Sequence, residues 1–81
     1  MRTHPVGAPG SLARHLDDWH HDIASRGDGR DIFAVLEYVG SEVVLRAAMS
    51  SRELAQSYMA AGRYLARVGP SGWEIEEGRG A

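Results

Sequence analysis

The sequence predicts a small α+β domain: a two-layer sandwich of element order α-β-β-α-β, with two helices covering one face of a three-stranded sheet. Three patterns predict it. Apolar residues recur at helical spacing over residues 12–23 and again over 54–68. They alternate with a period of two on either side of Gly40-Ser41, and again over 73–76. Breakers stand between these segments, at Ser25-Arg26-Gly27, Asp28-Gly29 and Gly69-Pro70.

Residues 1–10 contain two prolines and read as a flexible arm, residues 11–77 as a single domain and residues 78–81 as a glycine-containing tail. Ser11 suits a helix N-cap. Behind it Leu12, Leu16, Trp19 and Ile23 fall within about 60° of arc at 100° per residue, a narrow apolar seam on an otherwise polar helix. Arg14, Asp17, Asp18 and His21 lie opposite that seam.

Residues 31–49 decide the fold class. Pairing them about Gly40-Ser41 as a type II′ hairpin sets Tyr38 opposite Val43, Leu36 opposite Leu45 and Ala34 opposite Ala47. One face is then wholly apolar: Ile32, Ala34, Leu36, Tyr38, Val43, Leu45, Ala47 and Met49. The other carries Phe33, Val35, Glu37, Val39, Glu42, Val44, Arg46 and Ala48, with Glu37 diagonal to Arg46. The alternative is a helix, since Ile32, Leu36, Val39, Val43 and Ala47 also fit a 3.6 period, and an all-α bundle would follow. Five β-branched residues and a mid-segment glycine, which costs a helix about 1 kcal/mol relative to alanine, favour the hairpin.

Ser50 with Glu53 matches a capping box, which opens a helix whose buried stripe is Leu54, Tyr58, Ala61, Leu65 and Val68. Gly69-Pro70 ends that helix, and Trp73-Glu74-Ile75-Glu76 forms a last strand with Trp73 and Ile75 inward. A right-handed crossover from the second strand to the third gives spatial order 2-1-3. Both helices then cover the apolar face, leaving Phe33, Val35, Val39 and Val44 on an open one.

Composition narrows the function. The 81 residues include no cysteine, so disulfides, thiolate nucleophiles and cysteine-ligated metal sites are excluded. Net charge is −2, unlike a protein that coats nucleic acid. No apolar run approaches the roughly 20 residues of a membrane helix and no signal segment opens the chain, so a cytoplasmic location without membrane contact is expected. Lysine and asparagine are absent while arginine, alanine, glycine and proline supply 33 residues, the signature of a GC-rich coding region, hence of a high-GC bacterium or its phage.

Each candidate for chemistry has a structural reading beside it. His15, Asp18 and Asp22 share a helix flank at i+3 and i+4 steps and could converge on a metal. A solvated face with Asp–His and Asp–Arg pairs explains the same residues, and the expectation is no metal and no cofactor. Arg52, Arg63 and Arg67 align with Gln56 on the second helix, a stripe suited to phosphate and the basis of a nucleic-acid-binding alternative. No serine lies in a Gly-x-Ser-x-Gly setting, and no glycine loop has a phosphate-binding ending. The sequence therefore points to a non-enzymatic interaction or regulatory protein, a homodimer or the binder of a host protein, that contacts its partner through Phe33, Val35, Val39, Val44 and Arg46.

Overall fold

The computed structural model describes residues 10–40 and 42–79, a four-stranded antiparallel sheet with a helix on each face. In chain order the elements are α1 (Gly10–Ser25), β1 (Ile32–Val39), β2 (Glu42–Met49), α2 (Arg52–Gln56), β3 (Arg63–Gly69) and β4 (Gly72–Gly78). The strands lie in the order β2-β1-β3-β4, which puts the first strand of each hairpin at the centre. The α+β class holds, but the sheet has four strands where the sequence suggested three, and the helices are on opposite faces. No helix among the described residues is long and apolar enough to cross a membrane.

Helix α1 follows its seam. Leu12, Leu16 and Ile23 are buried with Ile32, Ala34, Leu36, Val43, Ala66 and Val68, and Trp19 packs against the group. The helix starts at Gly10, so Ser11 falls inside its first turn instead of capping it. It lies across the sheet, touching β2, β3 and β4. At the β4 side the Trp73 indole N–H donates to Asp17 Oδ1 at 2.8 Å, so the last strand and the first helix are tied by a half-buried hydrogen bond.

The β1–β2 hairpin forms with Tyr38 opposite Val43 and Leu36 opposite Leu45. Gly40 takes φ +64°, the backbone a primed two-residue turn requires of its first residue. Beyond Leu45 the register changes: Val35 faces Ala47, Ala34 faces Ala48 and Phe33 faces Met49, so Arg46 is the extra residue of a β-bulge. The one-residue insertion moves every later β2 side chain to the opposite face. Ala48, expected on the second face, joins the α1 side, while Ala47 and Met49 join Phe33 and Val35.

The segment read as the second helix is mostly strand. Helix α2 keeps one turn and a half, capped by Ser51 and not Ser50: the Ser51 hydroxyl accepts from the Leu54 amide at 3.2 Å. Gly62 at φ +84° then reverses the chain into β3. This strand is flanked on both sides and covered on both faces. Ala66 and Val68 are buried toward α1 and Leu65 toward α2, so its sequence lacks the polar alternation of an exposed strand. Of the expected helical stripe, Leu54 and Tyr58 are exposed, and Ala55 and Met59 turn inward instead. Gly69 pairs with Gly72 across Pro70-Ser71, so the expected helix stop is a hairpin turn. A second bulge makes Glu76 the extra residue of β4, since Leu65 faces Glu77 and Ala66 faces Ile75. Gly78, expected in a frayed tail, pairs with Tyr64, and Arg79 exchanges backbone hydrogen bonds with Gly62 and Arg63.

Candidate functional site

The face expected to meet a partner is largely interior. Phe33, Val35, Ala55, Met59 and Leu65 form a second buried cluster between the sheet and α2, with Ala47 and Met49 at its margin. Val35 has no exposed surface and Phe33 only 9 %, so both are covered within the chain itself. Phe33 and Val35 are therefore not the open face that the sequence suggested, and the cause is local. With Arg63–Gly69 in the sheet, α2 is short enough to fold down over the residues that an all-helical 50–68 segment would have left bare. Val39 stays exposed beside the hairpin turn and Val44 half-exposed on β2.

Around this second core runs a band of paired charges. Arg46 Nε donates to Glu37 Oε1 at 2.7 Å, and Arg63 Nε donates to the same oxygen at 3.1 Å. These guanidinium groups, Arg46 foremost, hold the Glu37 carboxyl below the usual glutamate range against a smaller opposing effect of desolvation. Arg52 grips Glu76 with two hydrogen bonds, 2.9 and 2.8 Å long, and lies 5.0 Å above the Phe33 ring, so one guanidinium closes the core and pairs with the bulge residue. Arg67 donates to Glu74 at 3.0 Å and lies 3.5 Å from both Asp31 and Glu76. The hydrogen bond to Glu74 is the chief reason its basicity is raised.

The structure thus brings Arg52, Arg63 and Arg67 to one face, though on two elements instead of one helix, and gives each a carboxylate. Taken whole, with Arg46, Arg52, Arg63 and Arg67 set against Glu37, Glu74, Glu76 and Asp31, the band lacks the net positive excess that phosphate binding requires, although Arg46 and Arg63 share one carboxylate. Arg46 and Glu76 keep the α2 side that regular alternation gives them, and the β4 bulge adds Glu77, which sits opposite Leu65 on that same side.

The acidic and histidine-rich stretch of α1 is likewise occupied with local contacts. His15 packs edge-on against Trp19 with ring centroids 5.1 Å apart, and Asp17 binds Trp73. Asp18 and Asp22 are exposed, and no group of three metal-ligating side chains gathers among the described residues.

What remains open is an edge. Strand β2 has β1 on one side and no strand among the described residues on the other. Beside it, α1 leaves a groove of about 210 Å³ lined by Trp19, Ile23 and Leu45, with Asp22 and Arg26 at its rim. Leu45 is only half-buried because β2 ends the sheet there. The sequence marked Trp19, Ile23 and Leu45 as core residues. The clue to a groove was Leu45 on a strand with a single neighbour, which becomes visible only once the strand order is known. The other edge, β4, presents Glu74, Glu76 and Glu77, a charged rim of the kind that discourages strand addition.

The comparisons with known proteins supply no analogue: no family model, no curated protein and no solved structure matches the chain.

Proposed function

We propose that the protein is a non-enzymatic interaction module that docks a partner protein strand on the β2 edge. The observation that carries this reading is the juxtaposition of an unpaired strand edge with the apolar Trp19–Ile23–Leu45 groove. Strand addition uses these two parts: main-chain hydrogen bonds along the edge supply affinity, and a neighbouring pocket selects alternate side chains of the incoming strand. The half-exposed tryptophan suits the role of anchor, because a large amphipathic ring gains much when the last of its surface is covered. A cytoplasmic regulatory contact in a high-GC bacterium or its phage is the setting that composition suggests.

The test is capture of partners by the immobilised protein, comparing wild type with Leu45→Glu, which places a charge in the groove, and with Leu54→Glu on the opposite face as control. Partners retained by wild type and Leu54→Glu but lost from Leu45→Glu support the reading. Equal retention by all three rejects it.

A further inference from the structure

The β2 edge has a register of its own. A strand that pairs antiparallel with its own copy about a two-fold axis must set residues of the same face opposite each other, because the axis is perpendicular to the sheet. Val43 and Leu45 lie on the α1 face; Glu42, Val44 and the bulge residue Arg46 lie on the α2 face. Axes between adjacent residues are therefore excluded.

Four axes remain in the turn-proximal half of the strand, and one through Glu42 sets the two Glu42 carboxylates against each other. One through Val43 opposes Glu42 to Val44 of the copy and strands the acid beside an apolar residue. One through Leu45 needs regular pairing at Ala47, which the bulge at Arg46 disrupts. The axis through Val44 opposes Glu42 to Arg46 and Val43 to Leu45 of the copy, and by symmetry does so twice. Its charges match. Arg46 and Arg63 share the single carboxylate of Glu37, so this triad carries an excess positive charge beside β2, and Glu42 is exposed to meet it.

The hydrogen-bonding groups also match. With Val39 and Glu42 closing a two-residue turn as a hydrogen-bonded pair, alternation turns the backbone groups of Val44 toward β1 and those of Val43 and Leu45 outward. The Val44 axis sets those two outward-facing residues opposite each other. It also brings the two apolar grooves together on one side of the seam.

We propose that the β2 edge takes a second copy of this chain, joined antiparallel about a two-fold axis at Val44, with Glu42 of each copy paired to Arg46 of the other in a continuous eight-stranded sheet. This rests on the reading of the β2 edge as the docking surface and names its occupant. The bulge at Arg46 does not oppose it, since the bulge limits pairing to residues 42–46 and so selects one register.

The experiment uses two sets of variants. Residues directly opposite in a pair not hydrogen-bonded to each other have Cα atoms about 4.5 Å apart, within the disulfide range of about 4.4–6.8 Å. Since the chain has no cysteine, Val44→Cys should oxidise to a covalent dimer, whereas Val39→Cys, outside the seam, should associate without forming a cross-link. Separately, Glu42→Arg and Arg46→Glu should each weaken self-association measured by sedimentation by about tenfold, since each reversal spoils two contacts. An equimolar mixture of the two should recover a heterodimer in native mass spectrometry. A monomeric wild type overturns the proposal, whether the edge is then taken by residues 1–9 or by a different protein, and so does a dimer that neither reversal weakens or that Val44→Cys fails to cross-link. Should the wild type be monomeric while Leu45→Glu still abolishes partner capture, the docking edge stands and self-pairing alone falls. If Leu45→Glu changes nothing, both fall.

Discussion

Gly62→Ala separates a turn leading into strand β3 from a continuous helix by the sign of its effect. Gly62 has φ +84°, and a methyl group built on it meets no atom within 4 Å, so the substitution brings backbone strain without a clash. Holding an alanine in left-handed conformation costs roughly 1–2 kcal/mol. The reduced freedom of the unfolded chain returns about 0.4–1 kcal/mol, so the net expectation is a destabilisation of about 1 kcal/mol. Were Gly62 inside a helix running from 50 to 68, alanine would stabilise it by about 1 kcal/mol. In a domain of this size each kcal/mol moves the melting temperature by about 4–8 °C, so the two structures differ by about 8–16 °C in the melt of one variant. Thermal unfolding followed by circular dichroism, repeated at several protein concentrations to separate any effect of association, measures it. A Gly62→Ala protein that melts above the wild type refutes both the turn at Gly62 and strand β3.

Three further outcomes test the packing and the charges. Val35→Ala removes two methyl groups from a fully buried site and should lower stability by about 2 kcal/mol in urea titrations, whereas Val39→Ala at the exposed hairpin end should change it by less than about 0.5 kcal/mol; equal effects would mean that α2 does not cover the sheet. Glu37 binds its proton less readily in the folded protein than in the unfolded chain, so the stability it contributes is complete above about pH 4.3 and is lost as pH falls through the lower folded value. Urea titrations of Glu37→Gln should accordingly show a shallower loss between about pH 5 and pH 3, and a loss as steep as that of the wild type counts against the Arg46–Glu37–Arg63 triad. A double-mutant cycle of Trp73→Phe with Asp17→Ala should give a coupling of about 1 kcal/mol for the bond joining β4 to α1, and additive effects would remove that bond from the folded protein.

How much of this was legible in the sequence depended on how many neighbours each element has. Helix α1 was readable because it presents one face to one layer, so its seam of Leu12, Leu16 and Ile23 shows directly as a period. The first hairpin was readable up to Leu45, where alternation and the turn glycine act together. Arg46 kept its expected place beside Glu37, and the reading failed from Ala47 onward because a bulge leaves no mark in an alternating pattern: Arg46 and Ala47 are as acceptable in regular pairing as in irregular. Strand β3 was misread for a deeper reason. A central strand buried on both faces has no polar period, and Leu54, Tyr58, Ala61, Leu65 and Val68 fit a helical wheel by coincidence of spacing. The determining residue was Gly62, whose positive φ cannot be told from a tolerated helix glycine without the fold around it.

That error propagated into the site. Reading 50–68 as one long helix left a single layer to cover the sheet, so Phe33 and Val35 became an apolar surface in need of a partner. Once β3 enters the sheet, the residual helix α2 and Met59 cover those residues, and Arg52 closes the margin over the Phe33 ring. The same rearrangement moves the open apolar surface from a sheet face to a sheet edge. With β1 and β3 at the centre, β2 and β4 become the edges, and the chain treats them differently. Edge β4 carries three glutamates and a bulge at one of them, whereas β2 offers Val43, Val44 and Leu45 beside a tryptophan-lined groove and bulges only after them. Edge strands left unprotected tend to pair with other chains, so selection for a monomer would be expected to guard both edges alike. An unguarded segment of three apolar residues, bounded on one side by Glu42 and on the other by Arg46, is instead what an interface of fixed register requires.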